Sequence, residues 1–313
     1  MQSAPGRHYR EGITLIDLFE MFPNEKAAED WFEQQRWGTT GLYCPRCGGV
    51  DHVRAQVNRK PMPYHCNDCR RFFSVRTGSL MERSKIPLHK WAIAIFLVTT
   101  SLKSVSSMKL HRDIGITQKS AWFMLHRIRQ AYELDAPLLD GPVEVDETYV
   151  GGKEKNKHES KKNHSGRGPV GKAIVVGLKD RETKEVRAQV IENAKREALH
   201  GFVEDHAQPE ARKYTDELLA YEGLENHETI KHSLSEWVRD QAHTNGIESF
   251  WSMLKRGYYG TFHHVSAKHL HRYVNEFAGR HNVRDKDTID QMRKLVAGMV
   301  GKRLMYSQLI ADK

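Results

Sequence analysis

Every cysteine of this 313-residue chain falls in one short stretch: Cys44-Pro45-Arg46-Cys47, eighteen intervening residues, then Cys66-Asn67-Asp68-Cys69. Two CxxC knuckles at that separation match the spacing of a four-thiolate metal site. Soft thiolate ligands and a tetrahedral demand point to one Zn2+. Disulfides fit less well, because the N-terminus carries no apolar stretch of signal-peptide type. A thioredoxin-like pair uses a single CxxC in a βαβ setting. An iron–sulfur cluster takes the same ligands and is the remaining alternative. Four protein ligands close the site, so the metal folds the segment and leaves no open position for catalysis. His52 and His65 lie inside the loop and are not needed as ligands. Short strands at Gln56-Val57-Asn58-Arg59 and Tyr64-His65 complete a zinc ribbon.

After the ribbon the pattern turns helical from Pro87 to about Tyr132. Trp91, Ile95 and Val98 recur at intervals of four and three, which places them on one helix face. Next, Ser106 to Ile114 reads as a helix, Gly115 as a turn, and Thr117 as the N-cap of a further helix. The sequence predicts a helix-turn-helix. In that arrangement Gln118, Lys119 and Ser120 open the helix that enters a major groove, and His126, Arg127 and Arg129 extend its basic face. The competing reading is an αα-hairpin with a solvated basic side.

Lysine and arginine exceed aspartate and glutamate by nine, 49 against 40, a weak pointer to a polyanionic partner. The longest apolar run, Trp91 to Val98, is too short to span a bilayer. A cytoplasmic, nucleoid-associated protein is expected.

Leu138-Leu139-Asp140-Gly141-Pro142 marks a boundary, after which Val143 and Val145 alternate with Glu144 and Asp146. On a strand both carboxylates point to one side. Gly151-Gly152 leads into a basic loop, 152–172, with seven Lys/Arg against two Glu between Lys153 and Lys172. Strands follow at 173–179 and 185–191, joined by a turn at Asp180-Arg181-Glu182-Thr183. A helix is expected over 194–207, a short strand over 211–215 that delivers Asp216, and another strand over 229–234. From Ala242 or Thr244 a helix carries Glu248, Trp251, Leu254 and Lys255. This order suits a mixed sheet with helices on its faces.

Three acids so placed suit two-metal phosphoryl transfer, in which hard Mg2+ or Mn2+ takes oxygen ligands. Asp146 is the candidate bridging ligand, with Asp216 on one ion and Glu248 on the other. Lys255 lies seven residues after Glu248 on the same helix face, where it can hold a DNA phosphate, and Arg256 adjoins it. Asn245, one turn earlier, is the alternative third ligand. Glu144, Glu147, Glu217 and Glu276 compete on spacing alone.

Taken together, Arg36-Trp37, Tyr43-Cys44-Pro45-Arg46-Cys47-Gly48, Val145-Asp146-Glu147-Thr148-Tyr149-Val150-Gly151-Gly152, His243-Thr244-Asn245-Gly246-Ile247-Glu248-Ser249-Phe250-Trp251, Lys255-Arg256-Gly257, His269-Leu270 and Arg272-Tyr273-Val274-Asn275-Glu276-Phe277 resemble the zinc-ribbon-bearing bacterial insertion-sequence transposases of the DDE class. The likeness runs from about residue 12 to 285. It implies a ribonuclease H-like catalytic domain, two divalent ions, and cut-and-join movement of an element through its terminal inverted repeats. Asp146 and Asp216 take the first two acidic roles. Members of the group place Asn, His or Glu third, so Glu248 leads here, then Asn245, then His243.

The expectation is an α+β multi-domain protein. Its parts are an N-terminal helical segment (1–38), the zinc ribbon (39–80), a helix-turn-helix segment (84–136), a catalytic domain (141–285) and a helical tail (286–313). The function expected is DNA strand cleavage and strand transfer on double-stranded DNA, by a homo-oligomer when ends are synapsed. A catalytically inactive, transposase-derived DNA-binding regulator is the alternative, and a ribonuclease H-like nuclease that cuts without joining is a third.

Overall fold

The computed structural model describes residues 11–56, 61–133, 136–152, 158–162, 171–229 and 244–311. They fall into two compact units, Met1–Leu134 with Val283–Lys313, and Asp135–Asn282.

The first unit opens with α1 (Leu15–Met21), started by a capping box between Thr14 and Asp17. α2 (Glu25–Trp37) follows, capped by the Asn24 side chain, and buries Ala28, Phe32 and Trp37. The ribbon is an antiparallel sheet of β1 (Val53–Ala55), β2 (Tyr64–Cys66) and β3 (Arg71–Phe73), with Val53 paired to Cys66 and Cys66 to Arg71. Its first strand thus lies just before the segment expected from sequence, of which Val57–Arg59 fall outside the described residues.

α3 (Leu88–Thr100) buries Trp91, Ile95 and Val98 as their spacing predicts. Pro87 offers it no side-chain cap, and Glu25 of α2 supplies one instead. Its carboxylate accepts from the Leu88 and His89 amides at 2.8 and 3.1 Å. The acid at a helix N-terminus satisfies two orphan donors and opposes the positive end of the dipole. α4 (Ser107–Ile114) ends at Gly115, whose φ of 59° is the left-handed stop that glycine adopts without strain. α5 (Gln118–Ala131) then begins, with the Thr117 hydroxyl accepting from the Ser120 amide.

The second unit is a five-stranded mixed sheet in the order β6-β5-β4-β7-β8. β4 (Val143–Val150) pairs antiparallel with β5 (Ala173–Asp180) over its full length, and β5 with β6 (Val186–Ile191). After α6 (Arg196–Glu204), β7 (Lys213–Thr215) returns parallel to β4, and β8 (His227–Thr229) parallel to β7. The expected extension of β8 beyond residue 229 lies outside the described residues, as do 153–157 and 163–170 of the basic loop. α7 (Asn245–Gly257) passes through a π-helical turn, Tyr258–Phe262, to α8 (Ala267–Asn282).

Alternation along β4 gives the sheet two apolar faces. Val143 and Val145 pack with Leu199, Phe202 and Val203 of α6. Val150 and Val175 pack on the other face with Ile247, Phe250 and Trp251 of α7 and Val274 of α8. A mixed sheet covered by helices on both faces is the ribonuclease H-like arrangement expected above.

Beyond α8 the chain rejoins the first unit as α9 (Thr288–Ala297) and α10 (Tyr306–Ile310). Met292, Leu295, Val296 and Met299 enter the core that α3 and α5 share. Among the described residues no helix is long and apolar enough to cross a membrane.

Candidate active site and zinc site

The sequence brings the four thiols together through tight knuckles, in which the Gly48 amide donates to the Cys44 carbonyl and the Cys44 amide to that of Gly49. Sγ of Cys44 and Cys69 are 3.7 Å apart, and those of Cys47 and Cys66 are 3.6 Å apart. A tetrahedron with Zn–S bonds near 2.3 Å has edges of about 3.8 Å, so the four sulfurs fit zinc. Burial and hydrogen bonds from the other three thiols push Cys69 up to about 12. A dication in the cluster reverses that balance by stabilising thiolates.

In the second unit, β4 and β7 run in parallel with Val143 opposite Lys213 and Glu144 opposite Tyr214. Extending that register by two residues sets Asp216 beside Asp146. Carboxylate oxygens of Asp146, Glu147 and Asp216 all lie within 4.8 Å of one another. Two donors hold Asp146: the Glu147 amide reaches Oδ1 at 2.8 Å and the Trp251 indole N–H reaches Oδ2 at 3.0 Å. Burial, then the charges of Glu147 and Asp216, raise Asp146 to about 7. Glu147 is raised as well, chiefly by burial, while the buried Tyr221 hydroxyl donates to it at 2.9 Å. Carboxylates crowded this closely form a site short of positive charge, and hard divalent cations suit its all-oxygen donors.

α7 is fastened along β4 at two places about one turn apart. Glu144, only 2% exposed, accepts from the Ile247 amide at 2.9 Å and from Arg181 Nε at 3.1 Å. Gly246 permits this approach, since a Cβ there would stand 2.6 Å from Glu144 Oε2. Trp251 reaches Asp146 across Gly177, the β5 partner of Asp146, where a Cβ would stand 2.6 Å from the indole.

The structure therefore sorts the acids. Asp146 and Asp216 meet, and Glu147, a competitor by spacing, joins them. Glu144 is a buried cap. Glu276 is fully buried and lies 3.6 Å from Arg280. Glu217 is exposed. Glu248 stands outside the group of three carboxylates. It lies one turn before Trp251 on an exposed part of α7, with its carboxylate accepting from the Thr244 hydroxyl at 3.0 Å. Lys255 is half-buried two turns further along, Arg256 is exposed, and Asn245 is exposed in the first turn. His243 is outside the described residues. The indole bond to Asp146 and the Glu144 cap escaped the sequence reading, because each joins residues about a hundred positions apart.

In the first unit Gln118 and Lys119 are exposed at the start of α5 and Ser120 is half-buried. The expected basic face beyond them does not form. His126 is 0%, Arg127 6% and Arg129 1% exposed. Arg127 donates through Nε and Nη2 to the Leu304 carbonyl at 3.2 and 3.1 Å, a partner 177 residues away. Tyr306 packs edge-on against Phe123 with centroids 5.5 Å apart, and Lys119 Nζ lies 4.6 Å above the Tyr306 ring. Lys119, Phe123 and Arg127 are successive turns of one α5 face, and the C-terminal segment packs along it, leaving Lys119 exposed.

Comparison with known proteins places both sites within matched regions. Residues 138–282 match the family described as the ISXO2-like transposase domain, and residues 23–71 match the transposase zinc-ribbon domain. A Halobacterium salinarum protein described as an uncharacterized protein in transposable element ISH50 is 30% identical over 275 residues, covering 84% of this chain and 92% of that protein.

Proposed function

The chain belongs to the ISXO2-like transposase family, and from that premise we propose that it cleaves DNA at the ends of an insertion sequence and joins the freed 3′ ends to target DNA. The observation that carries this reading is the convergence of Asp146 and Asp216 where β4 and β7 run side by side.

Asp146, Asp216 and Glu248 would hold two Mg2+ or Mn2+ ions, with Asn245 as the alternative to Glu248. Bound there, the ions lower the cost of charge on the attacking and leaving oxygens of a phosphodiester. The protein's own part is to present the ligands. Trp251 and the Glu147 amide each occupy one lone pair on an Asp146 oxygen, and the remaining lone pairs would serve the ions. Glu144 fixes the first turn of α7 against β4 and so sets where Glu248 stands. Lys255, on the Glu248 face, grips a phosphate beside the acids, and Arg256 extends that grip.

Recognition falls to the first unit. Gln118, Lys119 and Ser120 at the opening of α5 contact the terminal inverted repeats, the geometry of a helix-turn-helix. The cysteine cluster holds one structural Zn2+ that keeps the ribbon folded. Two or more copies bring the element ends together. The intact acidic group argues against a catalytically inactive regulator.

Asp146→Ala tests the reading. Strand transfer should vanish while binding to a duplex carrying the element end persists. Joining at the normal rate by this variant would overturn the assignment.

A further inference from the structure

The turn Arg83-Ser84-Lys85 follows the ribbon and is used by neither site above. With the inner side of α5 it borders a half-open cleft of about 180 Å3. Arg127 lies at its buried side. One edge of the guanidinium is taken by the Leu304 carbonyl, and its Cζ lies 4.2 Å from the centroid of the Phe123 ring. Among the described residues no carboxylate comes within ion-pair distance of it. Glu82 is the acid whose field reaches Arg127, and Glu82 lies 4.0 Å from Arg46. Burial lowers Arg127 to about 10, which leaves it cationic at neutral pH. A charge withdrawn from water without a counter-ion is costly unless an anion arrives.

The mouth carries the complementary feature. Arg83 and Lys85 are exposed there, and neither forms an ion pair among the described residues. Arg83 holds a left-handed φ of 58°, a conformation rare for a side chain of its size. Ser84 Oγ accepts from the Trp91 indole and the Ile86 amide, so its own proton is available to a ligand. Ser120, in the first turn of α5, also lines the space. Three cations and two hydroxyls, set against an apolar wall of Ile86, Trp91, Phe123 and Met124 and with no acid in the lining, suit an oxyanion. The volume exceeds that of one water several-fold, at about 30 Å3 each, yet falls below the roughly 300 Å3 of pockets that enclose larger ligands.

We propose that this cavity receives a single phosphate group from the DNA backbone, clamped between Arg127 beneath and Arg83 and Lys85 above. The proposal rests on the reading that the first unit binds DNA. A phosphate held beside Ser120 would fix the duplex next to the exposed Gln118 and Lys119, a contact that positions without reading sequence.

The test uses the full-length, zinc-loaded protein and the double variant Arg83→Gln/Lys85→Gln, whose side chains are both exposed. Affinity is measured against salt for a duplex carrying the DNA that borders the gene, and for a scrambled duplex of equal length. Loss of one phosphate contact should flatten the slope of log K against log [salt] by about 1 on both duplexes alike. In a parallel arm, inorganic phosphate is titrated at constant ionic strength and the melting temperature followed. A flattened slope without stabilisation by inorganic phosphate supports the backbone as the source. An unchanged slope, with saturable stabilisation in the wild type that the variant loses, assigns the pocket to a free oxyanion. An unchanged slope with no stabilisation overturns the pocket. If the wild type binds neither duplex, the DNA-binding reading itself fails, and the inorganic phosphate arm decides the pocket alone.

Discussion

Replacing Asp146 by asparagine should make the metal-free protein more stable at alkaline pH, although it removes a group central to the chemistry. The fold holds the Asp146 proton up to about pH 7, whereas an ordinary aspartate releases it near 3.8. Below about pH 4 both folded and unfolded chains are protonated there and the group is neutral to stability. As pH rises to about 7, the unfolded chain releases its proton first, so the folded state loses stability across that window. Above 7 the loss is complete. At 1.36 kcal/mol per pK unit it amounts to about 4 kcal/mol. Asparagine cannot ionise, and its carbonyl keeps the Trp251 bond. Its amide cannot accept from the Glu147 N–H, which returns about 1 kcal/mol. The variant should therefore be more stable by about 3 kcal/mol at pH 8. For a unit of this size that is a rise of about 6–12 °C in the melting transition. Calorimetry in buffer free of Mg2+ and Mn2+, with zinc retained, reads it directly. The advantage should disappear near pH 4, and saturating Mg2+ should close it by stabilising only the wild type. A gap of the same size at both pH values, or a variant less stable than the wild type at pH 8, would refute the reasoning.

Three further outcomes are expected. Trp251→Phe keeps an aromatic ring on this face of α7 but removes the indole donor to Asp146, so half-maximal Mg2+ for cleavage should rise about tenfold, the equivalent of about 1.4 kcal/mol, with DNA affinity unmoved. An unaltered metal dependence would remove Trp251 from the positioning of Asp146. Glu144→Gln removes the buried charge that pairs with the half-buried Arg181 and weakens the α7 cap, which should cost on the order of 3 kcal/mol in urea unfolding; a loss under about 1 kcal/mol would show that the pair is dispensable. Cys66→Ser should release the ribbon, so that amides of β1 and β2 exchange freely while those of β4 and β5 stay protected. Retained protection in β2 without bound zinc would contradict a metal-folded module.

Local chemistry made part of this architecture readable from the chain. The CxxC pairs are legible because chelation imposes its own spacing, and the thiols do meet. Alternating Val143, Glu144, Val145 and Asp146 identify a strand with a polar and an apolar face, and the structure gives each face its own helix layer. What failed was long-range. His126, Arg127 and Arg129 look like a solvated stripe, yet they are buried, and Arg127 is held by a segment 177 residues later that no local pattern announces. Glu147 alternates away from Asp146 along the strand, and spacing alone does not raise it above Glu144, Glu217 and Glu276; the fold brings it to Asp146 and Asp216, where the Tyr221 hydroxyl, 74 residues on, donates to it. The Glu144 cap depends on a contact over 103 residues and on the bare backbone of Gly246. Tertiary partners, and not propensity, decide such positions.

The shared metal position of residues 146 and 216 is best tested by anomalous diffraction from crystals grown with Mn2+ and an element-end duplex. Manganese should appear in contact with the carboxylates of both Asp146 and Asp216, with Glu248 or Asn245 completing the set. Manganese bound elsewhere, with these two carboxylates left bare beside a bound DNA end, would contradict the account.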